Sequence, residues 1–268
     1  MERHRLKNVI ILILVFLNLF LLASLLTQRI ADQSAQRAAA EELSALFAAD
    51  GMQLDPGVIS RDIPPNSQNV VRDATMESQV AALILGVTVS PVDQGGGITT
   101  YSESGNSVQF RSGGNFDTNL VNPISDGSHF CSSFCKSFSY GPPQFNLDES
   151  GSGTAIATQQ REHLTIYNSV VTFTLENGSI TAISGTIVSE NYTPVLESQD
   201  MLSAVAALTA FQQSRQETGS VVSAISKMEL CWELQNASSN ITLAPVWCIS
   251  TNTTNFYVNC VTGAVRRS

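Results

Sequence analysis

The side chains best suited to chemistry in this sequence are its cysteines and histidines. His129, Cys131 and Cys135 stand together in "HFCSSFC", while Cys231, Cys248 and Cys260 follow near the C-terminus. A histidine and two thiols resemble the start of a zinc site, but a closed site needs a fourth ligand, and Cys-x3-Cys spacing has little specificity. The expectation is therefore no metal, with Cys131 and Cys135 as a candidate local disulfide or free thiols. An activated thiol wants a cationic or histidine neighbour, and "LAPVWCISTNTTNFYVNC" supplies none.

That stretch instead suggests architecture. If Ala224–Gln235 pairs with Ala244–Thr251 around Ser239-Asn240, Cys231 faces Cys248 and Trp232 faces Trp247. Directly opposed cysteines can satisfy disulfide geometry, so Cys231 and Cys248 are a candidate disulfide or a buried pair. A second turn at Thr253-Thr254 would put Cys260 on the face opposite to Cys248, out of its reach.

Other chemistry has no motif behind it. The sequence contains no Gly-x-Ser-x-Gly elbow, phosphate loop, dinucleotide glycine pattern or His-Glu-x-x-His. The expectation is a non-enzymatic protein without catalytic residues or cofactors. Its net charge is −9, and without the first eight residues eleven basic groups face twenty-two acidic ones, a balance of −11. Such a chain is not drawn to nucleic acid by bulk attraction.

These residues must be positioned by helices and short strands. "QRIADQSAQRAAAEELSALFAADG" has helix-forming composition and a glycine stop at Gly51. "DATMESQVAALILG" places Met76, Val80, Leu83 and Ile84 at helical spacing before Gly86. "GITTYS", "NSVQFR" and "NFDTNL" suggest strands. From 121 to 158 periodicity fades into a Gly/Ser/Pro-rich stretch expected to be a loop or linker. "LTIYNSVVTFTLENGSITAISGTIV" is a hairpin with its turn at Asn177-Gly178. "ESQDMLSAVAALTAFQQSRQE" follows as an amphipathic helix with Met201, Val205, Leu208 and Phe211 inward. The pattern of helix followed by antiparallel strands, used twice, gives an α+β fold.

The N-terminus adds a membrane segment. Val9–Leu26 contains no charge, and its polar side chains are Asn18 and Ser24. At about 1.5 Å per residue it reaches about 27 Å, close to the roughly 30 Å of a bilayer core. Arg3, Arg5 and Lys7 precede it, which places the N-terminus in the cytoplasm and the rest outside. The expected organisation is a tail at 1–8, a transmembrane helix at 9–27 and a juxtamembrane helix at 28–50. A first α+β unit at 51–120, the loop at 121–158 and a C-terminal α+β unit at 159–268 follow. Asn18 is the candidate partner-binding residue in the membrane, because an amide there gains from hydrogen bonding a neighbouring helix.

The basic start, "VFLNLFLL", "GVISRDIPP", "YSESGNSVQFRSGGNF" and the C-terminal "LAPVWCISTNTTNFYVNCVTGAV" resemble the YycI/YycH family. These are membrane-anchored regulators of the WalK-type sensor histidine kinase of Gram-positive bacteria, and the ending is also similar to PepSY modules. The resemblance implies a single-pass cell-membrane protein that contacts a sensor histidine kinase, with a second YycH-like regulator as a further partner. It implies control of cell-wall metabolism without catalysis. A PepSY-like envelope module that binds or inhibits a peptide or protease is the alternative. The cysteines and the 121–158 stretch depart from the family pattern.

Overall fold

The computed structural model describes residues 38–195, 200–237 and 240–267. Val9–Leu26, Asn18 included, lies outside the described residues, among which no helix is long and apolar enough to cross a membrane.

Helix α1 is described from 38 to 49, and the chain turns at Gly51, whose φ of +74° suits a residue without Cβ. Strands β1 (Gln53–Leu54) and β2 (Gln68–Val70) lead to α2 (Ala74–Leu85). Asp73 caps α2 by accepting from the Thr75 and Met76 amides, and Gly86 ends it in the left-handed region. Val80 and Ile84 are buried as the periodicity requires, and Met76 and Leu83 pack at the rim. A meander follows: β3 (Val92–Gly95), β4 (Ile98–Glu103), β5 (Asn106–Phe110) and β6 (Asn115–Asn119).

The stretch 121–158 is not a loop. It forms α3 (Gly127–Ser137), β7 (Gln144–Leu147) and the start of β8 (Gly153–Arg161). Cys131, Phe134, Cys135 and Phe138 recur at helical spacing and are all buried, while serines fill the outer face of the helix. Phe134 sits at the centre of this core, 5.4 Å from Phe173 and 4.9 Å from Phe138 between ring centroids.

Strands β9 (Leu164–Glu176) and β10 (Ser179–Thr186) pair around Asn177-Gly178, both at positive φ, as a two-residue hairpin turn demands. After β11 (Tyr192–Pro194), Ser203 caps α4 (Ala204–Thr218), whose buried residues include Leu208 and Phe211. Val205 and Met201 pack beside the same core, although Met201 precedes the helix. Strands β12 (Ala224–Ala237), β13 (Asn240–Thr251), β14 (Asn255–Asn259) and β15 (Val265–Arg267) complete the chain.

The α+β class holds, but the two units are not contiguous in sequence. The described strands form one sheet in the order β11-β2-β13-β12-β9-β10-β6-β5-β4-β3, with β7–β8, β1 and β14–β15 branching from it. Strands β9 and β10, expected in the C-terminal unit, share a core with β8, α2, α3 and the first meander. Strands β1 and β2, expected in the first unit, pair with β12 and β13. The second core lies between β1, strands β12 to β14, α4 and α1, where Phe47 stacks on Phe211 at 6.4 Å. The juncture is narrow: Trp232 of β12 pairs with Ile166 of β9. Beside it the Asn168 amide bonds both backbone groups of Leu234 at 2.8 Å.

Candidate functional site

Alternation along β12 and β13 gives the hairpin two faces. One carries Met228, Leu230, Trp247 and Ile249 into the α4 core. The other carries Glu229, Cys231, Glu233, Val246 and Cys248, and Cys231, Val246 and Cys248 cluster with Tyr257 of β14. Tyr167 of β9 reaches across to stack on Tyr257, with centroids 3.6 Å and planes 11° apart. Its hydroxyl donates to Glu233 at 2.8 Å, and Glu233 is 2% exposed. Arg266 and Gln235 supply further donors to the same carboxylate, at 2.7 and 2.6 Å.

The register differs from the expected one by two residues. Cys231 faces Val246, and Glu229 faces Cys248, because Asn240 is the first residue of β13 rather than part of the turn. Trp232 therefore faces Pro245, and Trp247 faces Leu230. A slip of two preserves the faces, so Cys231 and Cys248 are still neighbours, but diagonal ones. They are free thiols, as are all five cysteines. The Cys231 thiol donates to the Cys248 sulfur, which holds Cys231 protonated and lowers Cys248, with Ser250 and Tyr257 hydroxyls adding to the second effect. Cys260 lies on the opposite face, fully buried in the α4 core, as the alternation requires.

Of the two alternatives for Cys131 and Cys135, a local disulfide or free thiols, the structure holds the free thiols. One helical turn apart on α3, they fill the aromatic core as small apolar residues, and burial pushes their thiols up to about 12 and about 11. His129, expected beside them, is on the exposed side of α3. His163 is likewise exposed, at positive φ in the β8–β9 turn.

A second polar site carries no signal in the sequence. Around the β8–β9 turn lies a cleft of about 330 Å³ lined by Ser139, Gln159, Arg161, Glu190 and Tyr192 among others. The Arg161 guanidinium lies 4.5 Å over the Tyr192 ring and donates from Nη2 to the Ser189 carbonyl at 2.8 Å. Its Nη1 is buried without an acceptor, and desolvation lowers its pKa. Tyr192 donates to Glu162 at 3.0 Å. No spacing in the sequence joins Arg161 to Tyr192, since β11 is carried there by β2. Glu229, by contrast, stands two residues before Cys231, and strand alternation alone places both on one face.

No family model matches the chain, and no curated protein matches it. Among solved structures, an uncharacterized protein from Eubacterium rectale aligns with a TM-score of 0.37 and 9% identity, over 76% of this chain and 81% of that one. YycH from Bacillus subtilis aligns with a TM-score of 0.35 and 10% identity, over 78% of this chain. The alignment spans half of the YycH chain, 50%. Likenesses at this level assign the chain neither a family nor a function.

Proposed function

We propose that this protein is a membrane-anchored, non-catalytic regulator whose outer domain biases a sensor histidine kinase of the cell-wall-controlling type. The observation that carries the reading is how the chain after the apolar run Val9–Leu26 enters the folded domain. Helix α1 is built into a core, with Leu43 and Phe47 buried against α4 and the C-terminal strands. Ser44 donates to the Leu54 carbonyl at 2.5 Å, and Asp50 accepts from Gln212, Gln216 and Arg215 of α4. A helix fixed in the core in this way passes to the whole domain any displacement that reaches its first described turn, whereas a helix frayed off the domain would not. A differential affinity of about 1–3 kcal/mol between kinase states is enough to regulate. The resemblance of "VFLNLFLL" and the C-terminal stretch to the YycI/YycH family supplies the partner class, with Asn18 as the contact in the bilayer.

The test places a photoreactive residue at Asn18 in cells and identifies what it captures. A histidine kinase, alone or with a second regulator, supports the reading; capture of the protein itself or of nothing refutes it. A Gly/Ser insertion between Leu26 and α1 provides the companion measurement. It should leave the protein in the membrane and abolish regulation.

A further inference from the structure

The outer face of the β12–β13 hairpin gathers three ligand-type atoms from two strands. A carboxylate oxygen of Glu229 and the sulfurs of Cys231 and Cys248 all lie within 4.8 Å of one another. We propose that Glu229, Cys231 and Cys248 bind a thiophilic divalent cation, Zn2+ being the ion whose size and geometry they fit.

The register is the first reason. Glu229 stands directly across from Cys248, and Cys231 is the next residue on the same face, so the three side chains form a triangle on a rigid sheet. Zinc binds thiolate sulfur at about 2.3 Å and carboxylate oxygen at about 2.0–2.2 Å in a tetrahedron. Small side-chain adjustments bring the triangle to those bond lengths. The same register disfavours a disulfide. Diagonal strand neighbours stand roughly 7–8 Å apart at Cα, beyond the usual 4.4–6.8 Å for a bridge.

Burial and charge point the same way. Cys231 and Cys248 are 4% and 5% exposed, whereas the Glu229 side chain is 46% exposed. The site therefore has a dry, soft side and a wet side where water completes the tetrahedron. Two thiolates and a carboxylate around a divalent ion leave one negative charge. The Lys227 ammonium, 2.7 Å from Glu229, neutralises it. Tyr257 stands across from Cys248 on β14 and packs against it, so its ring fixes the sulfur from the far side, as the shell behind a metal ligand does. Binding releases the two thiol protons to solvent and transfers no electron. The inference does not depend on the kinase reading.

The experiment uses the full-length chain in detergent, reduced and stripped of metal, then titrated with Zn2+ against a chromophoric chelator and with Co2+ by absorption. The expected result is one equivalent of Zn2+ and a sulfur-to-cobalt charge-transfer band. Cys231→Ser and Cys248→Ser should each weaken binding at least tenfold and remove the band, and Cys260→Ser should change neither. Glu229→Gln, at an exposed position where folding is not at risk, should weaken Zn2+ binding and keep a sulfur band. Zn2+ should also protect Cys231 and Cys248 from alkylation in the unmutated chain. Affinity unaffected by these changes, or no protection, overturns the proposal. So does a Cys231–Cys248 disulfide in protein thiol-blocked on leaving the cell.

Discussion

Asn168 of β9 holds Leu234 of β12 by both ends of its amide, donating to the carbonyl and accepting from the N–H at 2.8 Å each. Leu234 pairs with Leu243 of β13 on one side, and on the β9 side its two backbone groups are met by this side chain. The side chain acts as a rung of ladder where the two halves of the sheet meet.

Replacing Asn168 by Ala should therefore destabilise the protein by about 1–3 kcal/mol, the cost of leaving partly buried backbone groups without partners. Asp at the same position keeps the acceptor but loses the donor, and should fall between. Urea unfolding of the three proteins measures this. Equal stability of all three would show that the rung contributes nothing.

Tyr167 joins the same halves further along. Tyr167→Phe keeps the stack on Tyr257 and removes only the bond to Glu233, with an expected loss of about 1 kcal/mol. Tyr167→Ala also removes the ring and should cost about 3–5 kcal/mol. A double-mutant cycle with Tyr257→Ala separates the stacking contribution from the area each ring buries.

Gly185 is required for close approach rather than for backbone freedom. A Cβ there would stand 2.5 Å from the Val170 carbonyl oxygen and 2.8 Å from Val171 Cα. Gly185→Ala should lower stability by about 1–3 kcal/mol through overpacking. Gly86→Ala provides the contrast, because its Cβ meets nothing within 4 Å but its φ is +75°. The expected loss there is about 1–2 kcal/mol, from the left-handed conformation alone. Thermal unfolding, together with a structure showing β9 displaced only in Gly185→Ala, distinguishes the two causes.

Alkaline pH should unfold the protein early. Burial raises Cys131 and Cys260 from 9.0 to about 12 and Cys135 to about 11. Above pH 9 the unfolded chain releases these protons while the folded chain retains them, so stability is intact below that pH and falls as pH rises towards 11–12. Each thiol contributes a slope of up to about 1.4 kcal/mol per pH unit. Cys131→Ala should lose stability at neutral pH and then show a shallower decline above pH 9. An unchanged slope would mean that the thiol is not held protonated by the fold.

Much of this fold is legible in local sequence. The Asn177-Gly178 turn, the capped α2 and the first meander follow from residue type and spacing, because their determinants lie within a few positions of one another. Helix α3 is obscured by composition: its serines suggest a linker, although Cys131, Phe134, Cys135 and Phe138 carry the helical period. The hairpin register missed by two because a turn can move by one residue without disturbing which side chains face the core. That parity is why the faces, and the neighbourhood of Cys231 and Cys248, could be read even though their exact pairing could not. The cleft at Arg161 and Tyr192 was invisible, since it depends on β11 pairing with a strand more than a hundred residues earlier.

The interleaving of the two halves also governs when the chain can become stable. Helix α1 rests on α4 and the last strands, and β1 and β2 border strands made long after them. During synthesis the first helix of the domain emerges with its apolar side bare and stays so until nearly the whole polypeptide exists. Such long-range closure is slow, so a ribosome-stalled or C-terminally truncated product should expose Leu43 and Phe47 to chaperones and proteases. Loss of only the final strands would then mark the entire protein for removal.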